Sequence, residues 1–164
     1  MRKSTIFIIL GLFSAGLVFA SGSSGGSSGS SGAGSSGASM SAAAPKTALD
    51  WYNRGYDAAQ AQRYQEGVTD FNKAIALKAD YAEAYNMLGF CTRKLGNVPQ
   101  AMTYYDTALR LKPNFPEARE YYGEAYLQQG NLAKAVQQYV ILYKAGSKNA
   151  AELLDSIALY VNKD

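Results

Sequence analysis

The feature that most constrains this chain is a phrase it uses twice. "ADYAEAYNMLG" spans Ala79–Gly89, and "PNFPEAREYYG" spans Pro113–Gly123, 34 residues later, with Glu, Ala and Gly in the same places. Units of 34 residues beginning at Ala48, Ala82 and Pro116 bring the small residues into register. Gly55, Gly89 and Gly123 hold the eighth position, and Gly67, Ala101 and Ala135 the twentieth. Phe71, Tyr105 and Tyr139 share the twenty-fourth, and Ala74, Ala108 and Leu142 the twenty-seventh. A unit this short cannot bury its apolar face alone, so repeated units must stack into one continuous core.

Within each unit the apolar positions recur at helical spacing. Tyr85, Leu88, Gly89 and Thr92 mark a first helix of unit two, and positions 20, 24 and 27 mark a second helix in every unit. Small residues at positions 8 and 20 let the two helices approach closely, and the aromatic at 24 is expected to fill the space between them. "LGN" (Leu95–Asn97) and "QGN" (Gln129–Asn131) place Gly where the chain leaves the first helix, the usual place for a left-handed cap. Pro99 suits a first helical turn. Asp80 with Glu83, and Asn114 with Glu117, are spaced as capping boxes, and Asn149 with Glu152 reads the same way before a last helix. That helix carries Ala150, Leu153, Leu154, Ile157, Ala158 and Val161 on one face, with Glu152, Asp155, Ser156 and Asn162 opposite. The expectation is seven helices, the seventh covering the end of the stack with a polar outer side.

These residues resemble the tetratricopeptide repeat (TPR) family, whose motif is W-x2-L-G-x2-Y…A-x3-F…P with a period of 34. Unit one matches with Trp51, Gly55, Gly67 and Phe71; unit two with Tyr85, Leu88, Gly89, Ala101, Tyr105, Ala108 and Pro113; unit three with Gly123, Tyr126, Ala135 and Tyr139. Arg54, Arg119 and Ala79 depart from the motif. The resemblance implies an all-α fold, a right-handed α-solenoid of three helix–turn–helix repeats (about 48–81, 82–115 and 116–148) plus a C-terminal capping helix (149–162). Together these make a domain over 47–164.

The chain before that domain has a different composition. Arg2 and Lys3 precede an apolar run from Ile6 to Ala20, and small residues follow. This is the layout of a secretory signal peptide over 1–20, with a cut before Ser21. Left uncut, the same segment would serve as a membrane anchor with its charges on the cytoplasmic side. Either way the rest of the chain is expected outside the cytoplasm, in a periplasm or extracellular space of a bacterial envelope. Residues 21–46 are read as a disordered Gly/Ser-rich linker: 18 of the 24 residues from Ser21 to Ala44 are Gly or Ser and none is charged. It could hold the domain clear of a surface or be a plain spacer.

Chemistry is excluded more readily than it is found. The chain has no His and a single Cys, so His-based acid–base catalysis and an intrachain disulfide framework are ruled out, and most metal sites with them. Cys91 reads as a small buried residue. The net charge of +3 falls to +1 without Arg2 and Lys3, which argues against a nucleic-acid partner. No cofactor motif occurs. In TPR proteins the first helices of the units line a concave groove that takes a peptide or partner helix. The resemblance assigns to it Tyr52, Asn53 and Tyr56 from unit one, Asn86, Phe90 and Arg93 from unit two, and Glu117, Glu120, Tyr121 and Glu124 from unit three. The family's carboxylate clamp is not matched, since its places hold Tyr52, Tyr56, Met87, Glu117 and Tyr121. Tyr52, Tyr56 and Phe90 instead form an aromatic cluster beside Glu117, Glu120 and Glu124, which share a helix face. Such a groove suits an apolar and basic segment, or leaves the Glu stripe as a solvated face near Arg93. The function expected is non-enzymatic protein or peptide binding. The alternative is a self-associating structural component of an envelope, with a homo-oligomer as its product.

Overall fold

The computed structural model describes residues 45–163, so the segment read as a signal peptide and the linker up to residue 44 lie outside the described residues. Seven helices follow in order: α1 (Ala48–Gln60), α2 (Tyr64–Leu77), α3 (Ala82–Lys94), α4 (Val98–Leu111), α5 (Pro116–Gln128), α6 (Leu132–Lys144) and α7 (Asn149–Val161). They pair as α1 with α2, α3 with α4, and α5 with α6, and each pair stacks on the next, giving an all-α solenoid. Among the described residues no helix is long and apolar enough to cross a membrane.

The caps follow local chemistry, but not always where the spacing suggested. Thr47 and Asp50 cap α1 reciprocally: Thr47 Oγ1 accepts from the Asp50 N–H at 3.1 Å, and Asp50 Oδ2 accepts from the Thr47 N–H at 2.9 Å. Asn97 and Asn131 accept from the N–H groups of Gln100 and Lys134 and cap α4 and α6. Asp80 and Asn114 do not cap. The cap positions of α3 and α5 fall one residue later, on Tyr81 and Phe115, with no side-chain cap bond. The rings decide this. Phe115 is buried against Ala82, Ala108 and Ala118, and Tyr81 packs on Tyr52 with ring centroids 5.1 Å apart. Nor does Asn149 cap α7. Lys148 holds that place, and the Asn149 amide is directed at Glu120.

Each first-to-second helix turn passes through a left-handed residue. Gly96 (φ 90°) and Gly130 (φ 73°) fill this place in units two and three, as expected. Unit one has Gln62 there at φ 59°, a conformation in which a Cβ crowds the following carbonyl.

Close approach defines the core. A Cβ on Gly55 would lie 3.0 Å from the Phe71 ring, and one on Gly89 only 2.7 Å from the Tyr105 ring. Phe71 and Tyr105 are fully buried in consequence. The third unit differs from expectation. Tyr139 is only partly buried, and Gly123 is met by Leu153 of α7, 2.5 Å from where a Cβ would stand. The terminal helix therefore supplies the residue that fills this space. Its outer side is also less polar than the periodicity suggested. Ala150, Leu153 and Ile157 are buried, but Leu154, Ala158 and Val161 are exposed, because α7 packs only against α5 and α6 and nothing described lies beyond it.

Two substitutions test this geometry in opposite directions. Gly89→Ala would stabilise an exposed helix, but here it is expected to cost about 1–3 kcal/mol by overpacking against Tyr105. Gln62→Gly relieves left-handed strain and is expected to gain about 0.5–1 kcal/mol. Urea unfolding followed by circular dichroism reads both.

Candidate functional site

Positions five, six and nine of the first helices, which the resemblance assigns to the groove, include four aromatic residues, Tyr52, Tyr56, Phe90 and Tyr121. On α1, Tyr52 and Tyr56 stack at 6.3 Å, and Tyr52 also meets Phe71 at 5.6 Å. On α3 and α5, Phe90 and Tyr121 meet at 5.3 Å, with Tyr64 at 6.1 Å from Phe90 on the other side. Burial pushes the Tyr52 hydroxyl up to about 12, helped by Tyr81, Glu83, Tyr56 and Tyr121. Tyr121 is likewise pushed up to about 12 by burial, then by Glu120, Glu124 and Tyr56. The rings form two groups, Tyr52 with Tyr56, Phe71 and Tyr81, and Phe90 with Tyr64 and Tyr121. Tyr56 remains substantially open, Asn53 is exposed, and Tyr52, Phe90 and Tyr121 are half-buried.

The polar residues assigned to the groove are less free than their spacing implied. Glu117 is exposed. Glu120 is only 8 % exposed, and its Oε2 accepts from Asn149 Nδ2 at 2.5 Å. Glu124 pairs with the buried Arg93, and its other oxygen accepts from Ser156 Oγ at 3.4 Å. Arg93 Nε also donates to Tyr105 Oη at 3.4 Å. The Glu stripe shares one helix face as read, but two of its three carboxylates are engaged by α3 and α7. Asn86, one turn before Phe90 on α3, is 3 % exposed, and its Oδ1 has no hydrogen-bond partner among the described residues.

Beyond the aromatic groups, a cleft of about 600 Å³ lies between α3, α5 and α7. Arg93, Glu124, Leu127, Gln128, Ser156 and Tyr160 contribute to its lining. Spacing missed Tyr81, because it stands outside the helices, and the α7 residues, because their contacts span about 30 positions of sequence. Arg54, a departure from the motif, forms a bidentate pair with buried Asp70 at 2.7 and 2.5 Å and lies over the Trp51 ring at 4.2 Å. Cys91 is fully buried against Gly67, and burial pushes its thiol up to about 12, far from the reactive range.

Stacked helix pairs with an aromatic inner face define the class, an α-solenoid built from 34-residue units. The family model described as Tetratricopeptide repeat matches residues 52–114 and 92–150, more than half of the sequence. The chain belongs to the tetratricopeptide repeat family. It is 33% identical over 72 residues to the Hsp70-Hsp90 organizing protein of Triticum aestivum, covering 44% of this chain but only 12% of that protein. Its fold is similar to the TPR2B domain of yeast Sti1, solved as a complex with pHsp70 (TM-score 0.64, 16% identity, 71% of this chain and 98% of that one). It is also similar to the Yersinia enterocolitica type III secretion chaperone SycD in complex with a peptide of the translocator YopD (TM-score 0.58, 20% identity, 68% and 92%).

The Arg93–Glu124 pair ties the second unit to the third across the inner face. Removing one partner leaves a buried or half-buried charge alone, which typically costs 3–5 kcal/mol. Arg93→Met is expected to lower stability by about 3 kcal/mol, and adding Glu124→Leu to recover much of that loss. A double-mutant cycle in urea measures the difference.

Proposed function

We propose that this protein is a non-enzymatic interaction module that holds an extended peptide or a partner's helix against its inner face. The observation that carries the reading is the set of first-helix rings Tyr52, Tyr56, Phe90 and Tyr121: Tyr52 and Tyr56 stack at 6.3 Å, Phe90 and Tyr121 meet at 5.3 Å, and all but the exposed Tyr56 are half-buried. Such rings supply apolar area at low cost in side-chain entropy, and aromatic anchors dominate the energy of interfaces of this kind. The ligand is apolar first, with its positive charge placed near Glu117, the member of the Glu stripe left open. The peptide-bound structures of SycD and Sti1 support binding of this general type. The leader-like segment over 1–20 supports action outside the cytoplasm, in a periplasm or extracellular space. There the Gly/Ser-rich stretch would act as a tether.

Probing an array of apolar, apolar–basic and apolar–acidic peptides with the full chain tests the reading. Apolar–basic peptides are expected to bind at a Kd on the order of 1 µM. Tyr52→Ala with Phe90→Ala should weaken binding at least tenfold while leaving helicity unchanged. Binding that ignores both substitutions would place the interface elsewhere.

Self-association is a second reading, favoured by the exposed Val136, Val140, Tyr143 (68 % exposed), Leu154 and Val161 on α6 and α7. It predicts a mass that rises with concentration in sedimentation equilibrium and falls back to the monomer for Tyr143→Glu with Leu154→Glu. A monomer at all concentrations excludes it.

A further inference from the structure

Among the described residues, the buried Asp, Glu, Lys and Arg side chains are Asp70, Arg93 and Glu120. Asp70 is paired with Arg54, and Arg93 with Glu124. Glu120 has no cation within ion-pair distance. Its bonded partner is a neutral amide, Asn149 Nδ2, itself 4 % exposed and held through Oδ1 by Ser147 Oγ at 3.1 Å. The charged and titratable groups around it are mostly acidic. From α5 come Glu117 one turn before, Glu124 one turn after, and Tyr121 beside it; from α7 comes Glu152. Arg93 of α3 is taken by Glu124. Lys148, next to Asn149, is exposed and forms no ion pair with Glu120.

This carboxyl sits at the joint that keeps α7 in place. The same helix inserts Leu153 against Gly123 and buries Ala150 and Ile157. Its second half, through Ser156, Leu159 and Tyr160, walls the cleft beside Arg93 and Glu124.

We propose that α7 is a proton-held cap: Glu120, sealed between α5 and α7, keeps the helix docked while its carboxyl carries a proton and loosens it once ionised. A protonated Glu120 needs no cation, satisfies Asn149 and does not repel Glu124 or Glu152. An ionised one is a desolvated charge among carboxylates, and releasing α7 returns it to water. Release would also remove one wall of the cleft and uncover the inner face of α5, so acidity sets how far the groove extends.

The direction of the pH effect follows. In the docked state Glu120 is raised from 4.5 to about 7, chiefly by burial, with Glu152 and Glu124 adding and the Asn149 hydrogen bond opposing. A group whose docked value is raised binds its proton more tightly when docked. Its contribution is complete below about 4.5 and is lost as pH rises through 7. The docking equilibrium should therefore weaken on the order of 50-fold between pH 5 and 7.5, then level off.

Amide hydrogen exchange by mass spectrometry on the full chain, corrected for intrinsic exchange, reads this directly. Protection of α7 is expected to fall by that factor while α1–α4 hold theirs. In Glu120→Gln, which keeps an acceptor for Asn149 but cannot ionise, α7 protection should be independent of pH. Glu152→Gln guards against a misfolded Glu120 variant. It leaves Glu120 in place, removes a facing charge, and should move the transition to lower pH by weakening the repulsion. Unchanged α7 protection across the range in the wild type, or the same fall in Glu120→Gln, would overturn the proposal. Because no ligand is used, failure here would leave the groove reading standing.

Discussion

Everything in this fold rests on how closely two helices of a unit can approach at the eighth position. Gly55 and Gly89 remove a side chain where Phe71 and Tyr105 enter, and those rings become fully buried as a result. Each is worth about 1.5–3 kcal/mol of apolar burial, which no helix of 13 or 14 residues could secure in isolation. The same approach holds the two helices of each pair together, so that the pairs stack and bring their first helices side by side. The inner face is thus a by-product of the core.

The third unit shows what happens when the pattern has no successor among the described residues. Tyr139 does not close on Gly123, and Leu153 from α7 does so instead. That exchange draws α7 against α5 and carries Asn149, Glu152 and Ser156 onto Glu120 and Glu124. One packing choice therefore turns a stripe of surface carboxylates into a partly buried polar joint. Arg93 bridges the joint to the second unit, so the polar network runs across three consecutive first helices, α3, α5 and α7.

The repeat was legible because it is a local pattern. Periods of 3.6 and 34 follow from side-chain size alone, and the turn glycines Gly96 and Gly130 follow from φ alone. The helix starts were less so. Asp80 and Asn114 had the right chemistry for caps, but Tyr81 and Phe115 had rings to bury, and apolar packing moved the boundary by one residue. Register put the aromatics Tyr52, Tyr56, Phe90 and Tyr121 on the first helices, where they lie. The state of Glu120, Glu124, Asn86 and Arg93 could not, because each depends on a partner, or the lack of one, across helices.

The sequence by itself determined the family, the helix count among the described residues, and the pairing of helices within units. These depend on spacing along one chain and on the volume of each side chain. Only the tertiary structure decided which inward residues stay open to a ligand and which are consumed in holding the fold. That outcome turns on α7, whose position is set by a contact between Leu153 and Gly123 at a separation no period encodes. Burial and ion pairing are properties of the assembled helices, and desolvation acts only once they have met.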